Sequence, residues 1–331
     1  MSRLRTLFDP FVVMLLTTVA VASIVPPRGA FAGFFSGLAN AAIVLLFFLH
    51  GAKLSREAIV AGASNLRLHA AVFAATFLLF PLLGYGVSHL PFLTPALAMG
   101  MLFLTLLPST VQSSIAFTAI ARGNVAAAVC SASFSNLVGI VVTPMLVALT
   151  MRISGSAALS WHSVESIALQ LLLPFALGHF LRPVIGGVVA RHKPLTTIVD
   201  RGSILLVVYS AFGEAVVQGL WHRLSPASLA LVVAACAAIL AAILVVTWIA
   251  GRLLRFDRAD AIVLLFCGSK KSLASGVPMA GILFAPAQAG MVILPLMIFH
   301  QLQLFACALI ARHYAEQPVA PAVGSRPVAQ T

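Results

Sequence analysis

The stretch FCGSKKSLASG, Phe266–Gly276, sets two adjacent lysines among serines and glycines inside a hydrophobic run. The chain around it has 331 residues, of which 61% are hydrophobic and 8% charged, with a mean hydropathy of +1.08. A soluble domain carries about 25% charged residues. So little polar surface cannot cover a fold in water, and the chain reads as an integral membrane protein. Its apolar segments are roughly 18–25 residues long, the span of a bilayer helix, whereas a barrel would show alternating segments of about ten. Helices satisfy their own backbone in lipid, which fixes the class as all-α.

Candidate spans fall at 9–25, 36–50, 68–88, 95–121, 124–150, 160–181, 202–220, 227–250, 258–285 and 288–311. With ten spans, one side of the membrane collects fifteen of the twenty basic residues and the other holds Arg28, Arg152 and Arg223. The remaining two are Lys270 and Lys271. The positive-inside rule then puts both termini in the cytoplasm of a multi-pass cell (inner) membrane protein. Arg3 and Arg5 followed by an apolar run and Ala30–Ala32 mimic a secretory signal, but Asp9-Pro10 and "PPRG" interrupt the pattern, and its removal would leave nine spans. The net charge of +12 does not indicate nucleic acid, because the basic residues are scattered among short loops. The four cysteines all lie in apolar segments without metal or disulfide spacing, so no metal and no cofactor is expected.

Ten spans divide into five and five. An odd number per half makes the halves face opposite ways, as in an inverted repeat. The expected organisation is a first repeat over 1–152, a second over 153–313 and a disordered tail over 314–331. Each half has one broken span. In the fourth, Pro108 is followed by Ser109, Thr110, Gln112, Ser113 and Ser114. In the ninth, the break is Ser269, Lys270, Lys271 and Ser272. Interrupted spans at corresponding places in two halves point to a transporter site, where half-helix N-termini favour anionic solutes. A cation at mid-membrane costs roughly 2.5–3.5 kcal/mol, so a lysine there needs a polar cavity or a partner. Glu214 is the candidate charge partner, against the plainer reading of a glutamate near the interface. Asn136 and His300 are further candidates for the cavity lining; Asn40, His179, Gln301 and Gln303 are other polar residues in spans.

The leading reading is a secondary carrier of a small organic anion. An uncoupled or regulatory solute-binding membrane protein is one alternative. A Ser–Lys intramembrane hydrolase is a remote one, since Ser269 and Ser272 flank the lysines but no other catalytic motif is present. "GSKKS" lacks the spacing of a phosphate-binding loop.

Three stretches also carry a resemblance: Leu107–Leu146 (LPSTVQSSIAFTAIARGNVAAAVCSASFSNLVGIVVTPML), Phe47–Ser55 (FFLHGAKLS) and Phe266–Ala280 (FCGSKKSLASGVPMA). Together they resemble the bile acid:sodium symporter superfamily, in particular its bacterial branch related to the seventh member of the vertebrate solute carrier family ten. The resemblance implies ten helices in two inverted repeats, with the fourth and ninth unwound where they cross. It also implies sodium coupling, but Ala128, Ala132 and Phe266 fall where sodium-coupled members carry oxygen ligands, and Lys270–Lys271 fall on their Gln-Asn. A hard cation needs oxygen. The expectation is that the usual sodium sites are absent, with a lysine either standing in for the cation or carrying a proton in each cycle.

Overall fold

The computed structural model describes residues 10–53, 65–153 and 161–317, and all its regular structure is helical. In chain order the helices are α1 Pro10–Ile24, α2 Ala30–Lys53, α3 Leu66–Ser88, α4 Pro95–Leu106, α5 Val111–Ile120, α6 Val125–Ile153, α7 Trp161–Arg191, α8 Lys193–Val217, the short α9 Leu220–Arg223, α10 Pro226–Leu253, α11 Arg258–Gly268, α12 Leu273–Leu283 and α13 Pro286–Glu316. Seven of these are long and apolar enough to cross a membrane, and the bent pair α4–α5 makes an eighth. The protein is thus a multi-pass membrane protein. Two of the ten expected spans fall short by length and composition. Helix α1 has fifteen residues, about 22 Å of rise against a hydrocarbon core of about 30 Å. The pair α11 and α12 is divided at residues 269–272.

Helix ends extend beyond the hydropathy boundaries. Helix α2 begins at Ala30 rather than 36, and α8 at Lys193 rather than 202, with Pro194 in its first turn. Hydropathy stops at charge, but a helix continues as long as its backbone bonds and a packed face sustain it. Helix α13 runs to Glu316, three residues into the expected tail; residues 318–331 lie outside the described ones, as do 154–160 beside the expected repeat boundary.

Helices α1, α2, α7 and α8 pack as neighbours. Between α2 and α7 the backbones touch: a Cβ on Gly51 would lie 1.9 Å from the Phe175 carbonyl oxygen, and one on Gly178 1.9 Å from that of Phe48. Small residues at helix crossings give membrane bundles this close approach. Helix α1 is tied down through its following loop, where the Tyr209 hydroxyl donates to Val25 O at 2.9 Å. The other helices form the second group, in which α4–α5 and α11–α12 are flanked by α3, α6, α10 and α13. The buried core runs through both groups, and α8 and α13 join them.

Candidate functional site

The first interruption follows from Pro108. It has no N–H to continue a helix and pushes Leu107 out of helical conformation; Leu107 has ψ 157° and α5 restarts at Val111 after a bend of 59°. Gly139 of α6 makes room for it, since a Cβ there would meet the Pro108 ring at 2.6 Å. Four successive carbonyls at the break find donors outside their own helix. Leu106 O accepts from Thr143 Oγ1 (2.8 Å), Leu107 O from Lys271 Nζ (2.7 Å), Pro108 O from the Ser272 N–H (2.9 Å) and Ser109 O from Asn136 Nδ2 (2.6 Å). The Ser109 N–H donates to Ser135 Oγ at 3.0 Å.

The second interruption contains no proline, and its backbone is satisfied from the first. Phe266 O accepts from Ser114 Oγ (3.1 Å), Cys267 O from Ser109 Oγ (2.6 Å) and Lys271 O from Thr110 Oγ1 (2.8 Å). The Gln303 amide satisfies both backbone groups of Lys271, accepting its N–H at 2.8 Å and donating to its carbonyl at 2.9 Å. The Ser272 hydroxyl caps α12 by accepting the Ser275 N–H. Buried peptide groups without partners are costly. Each break supplies what the other lacks, so the two are held as one unit.

Both lysines are fully buried. Lys271 Nζ donates to Leu107 O and Thr76 O, each at 2.7 Å, and lies 4.2 Å from the centre of the Phe80 ring. Thr76 O is available for a physical reason. Residues Ala75–Leu79 form a π-helical turn in which the Phe80 N–H bonds back to Ala75 O. In that register the partner of Thr76 O is residue 81, and Pro81 has no N–H. Lys270 Nζ donates to Ser113 O at 3.0 Å and lies 4.0 Å and 5.1 Å from the Phe117 and Phe266 ring centres. Glu214 is not brought to them: it accepts from Gln218 Nε2, and the ion pair among the described residues joins Lys53 to Asp200. Ser269 donates to Leu265 O and Ser272 to Ser275, so neither hydroxyl is bonded to a lysine nitrogen.

On one side this unit faces a cavity of about 740 Å³. Thr110, Gln112, Ser113, Asn136, Ser272 and His300 line it, all of them candidates from the sequence. Pro108, Ser109, Ser114, Ser269, Lys270 and Lys271 do not; they lie behind the wall and hold it together. The Thr110 hydroxyl is committed to Lys271 O, so the first N–H groups of α5 have no side-chain cap at the cavity surface. The facing wall carries His50, Lys53, Asp200 and Arg201, none of which sequence reasoning placed in the site. Hydropathy reads these positions as loops or as the end of a span. For Asp200 and Arg201 the signal is the charge itself, two turns inside the continuous α8, while His50 and Lys53 lie in the last turn of α2. Among the described residues, three buried polar atoms of the lining have no hydrogen-bond partner: Ser113 Oγ and Gln301 Nε2 on one wall, Asp200 Oδ1 on the other. With Lys53 and Arg201 against the single carboxylate of Asp200, the lining is net positive. Among the described residues no group of histidine, cysteine or carboxylate side chains could hold a metal ion.

Comparison with known proteins agrees with this architecture. The model of the SBF-like CPA transporter family matches residues 9–316. An Escherichia coli protein named "Putative symporter YfeH" is 53% identical over 317 residues, 95% of each chain, and the Pseudomonas aeruginosa protein PA2026 is 52% identical over 319 residues, 96% of each. More distantly, sodium/bile acid cotransporter 7 of Xenopus tropicalis is 27% identical over 314 residues, 92% of this chain and 90% of that one. A family model of membrane transporters that matches residues 9–316, with relatives named as symporters, indicates a transporter and not an enzyme: the chain belongs to the SBF-like CPA transporter family.

Proposed function

We propose that the protein is a secondary carrier that moves an organic anion across the cell membrane by alternating access, with the 740 Å³ cavity as its binding site. One observation carries this reading: two mutually bonded chain breaks turn the starts of α5 and α12, and the unpartnered Ser113 hydroxyl, toward a net-positive cavity. N–H groups at helix starts and the positive dipole end attract anions. A second cavity of about 690 Å³ shares Lys53, Gln112, Thr197 and Asp200 with the first and adds Arg182 and Lys193, which suits an entry path for an anion.

The same reading takes the fold as ten spans in two inverted five-helix repeats, 1–152 and 153–313, with both termini cytoplasmic. The fourth span is α4–α5 and the ninth α11–α12, crossing where they unwind. It is supported by a correspondence between the halves. In each, a side-chain amide of the next helix, Asn136 of α6 or Gln303 of α13, completes the broken backbone. Alternating access is then the movement of α1, α2, α7 and α8 against the unit that carries the breaks.

Coupling to sodium at the usual sites is not part of the proposal. Ala128, Ala132 and Phe266 are fully buried and offer no side-chain oxygen. Leu107 O, close to the negative end of α4, is occupied by Lys271 Nζ, at a place a bound cation could otherwise take. Lys271 is the permanent stand-in.

Reconstituted protein tests this with labelled taurocholate as the first probe and sulfated steroids and dicarboxylates beside it. The expected result is saturable uptake of at least one anion, unchanged when choline replaces sodium. Arg201→Gln should lower it about tenfold, the loss of one charge-assisted hydrogen bond. Binding without flux would favour the regulatory alternative, and strict dependence on sodium would remove the stand-in role of Lys271.

A further inference from the structure

We propose that a groove between α10, α11 and α13, which shares no lining residue with the central cavity, binds the headgroup of an anionic phospholipid. The groove encloses about 710 Å³. Its apolar part is formed by Leu244, Val245, Leu265 and Ile310, and its polar part by Arg252, Arg258 and His313. Asp257, Asp260 and Glu316 belong to the same helix ends, yet none lines it. Asp260 is engaged by the amides of Asn65 and Asn124, and Asp257 caps the first turn of α11. The lining therefore has positive charge and no carboxylate.

The cations are held in place by aromatic rings. The Arg252 guanidinium lies 3.7 Å from the centre of the Trp248 ring. That of Arg258 lies over Tyr314 and donates to Tyr314 O at 2.7 Å. Trp248 is 42% exposed, next to the exposed aliphatic side chains of Val245 and Ile249. Tryptophan and tyrosine mark the headgroup level of a membrane, and basic clefts between spans at that level take acidic headgroups. A guanidinium held flat offers paired donors to a phosphate. Below it, the apolar part of the groove gives an acyl chain a surface to cover. A zwitterionic lipid would bring its own cation against the two guanidinium groups, and free phosphate would leave the apolar part uncovered. Those two mismatches select an anionic lipid.

The experiment uses the purified full chain in detergent and is independent of what the central cavity carries. Thermal unfolding is followed with added dioleoyl phosphatidylglycerol, with dioleoyl phosphatidylcholine at the same mole fraction, and with inorganic phosphate. Native mass spectrometry counts retained phospholipid. Phosphatidylglycerol should raise the midpoint about 3 °C more than phosphatidylcholine, with phosphate inert. Arg252→Gln, at an exposed side chain, should remove at least half of that difference and lower the retained lipid. Arg252→Gln combined with Arg258→Gln should remove it entirely; the single variant decides the matter if the double does not fold. Equal effects of the two lipids, a full effect retained in Arg252→Gln, or the same rise from phosphate alone would overturn the proposal.

Discussion

A single carbonyl shows how the site is assembled. Thr76 O loses its helical donor to a π-helical turn and a proline, and Lys271 supplies the missing hydrogen bond. Lys270 and Lys271 should therefore resist reductive methylation in the folded protein, while the exposed Lys53 and Lys193 react; peptide mass spectrometry reads the difference. Gln303→Ala leaves the Lys271 N–H buried without an acceptor and should lower stability by about 2 kcal/mol, measured as a fall in the unfolding midpoint. At this scale Pro108, the hydroxyls after it and the paired lysines were legible, because a proline or a cation in an apolar run contradicts its surroundings. Gln303 was noted only as a polar residue in a span. Its partner is a peptide group, and peptide groups leave no mark in a sequence. Asp200 was missed because hydropathy places a carboxylate outside the helix that in fact contains it.

Packing between elements yields sharper expectations. The contact of α2 with α7 depends on Gly51 and Gly178, each under 2 Å from a facing carbonyl if given a Cβ. Gly178→Ala should cost about 2–3 kcal/mol, the usual penalty for overpacking, and should reduce the yield of folded protein on size-exclusion chromatography. The turn after α10 behaves in the opposite way. Arg255 holds φ at 51° while the Phe256 N–H closes the helix onto Gly251 O at 3.1 Å. Only glycine takes that conformation without strain, so Arg255→Gly should stabilise by about 1 kcal/mol in a thermal melt. The existence of the elements was legible from apolar runs, but their ends were not. Helices α7 and α8 meet within one residue, at His192, in a basic region that hydropathy reads as a loop.

For the whole molecule, the two breaks form one unit, closed internally by the two lysine side chains and lining the central cavity on its other face, where we propose that an anion binds. The sequence placed both breaks, and it exposed the departures at Ala128, Ala132 and Phe266 through the family resemblance. It could not show that the breaks bond to each other, since those bonds join residues more than 150 positions apart. Thermal unfolding of the purified protein in sodium chloride and in choline chloride at equal ionic strength tests the account most directly, and it needs no knowledge of the substrate. A cation site already filled by Lys271 predicts the same midpoint in both salts. A saturable, sodium-specific rise of about 3 °C or more would contradict it.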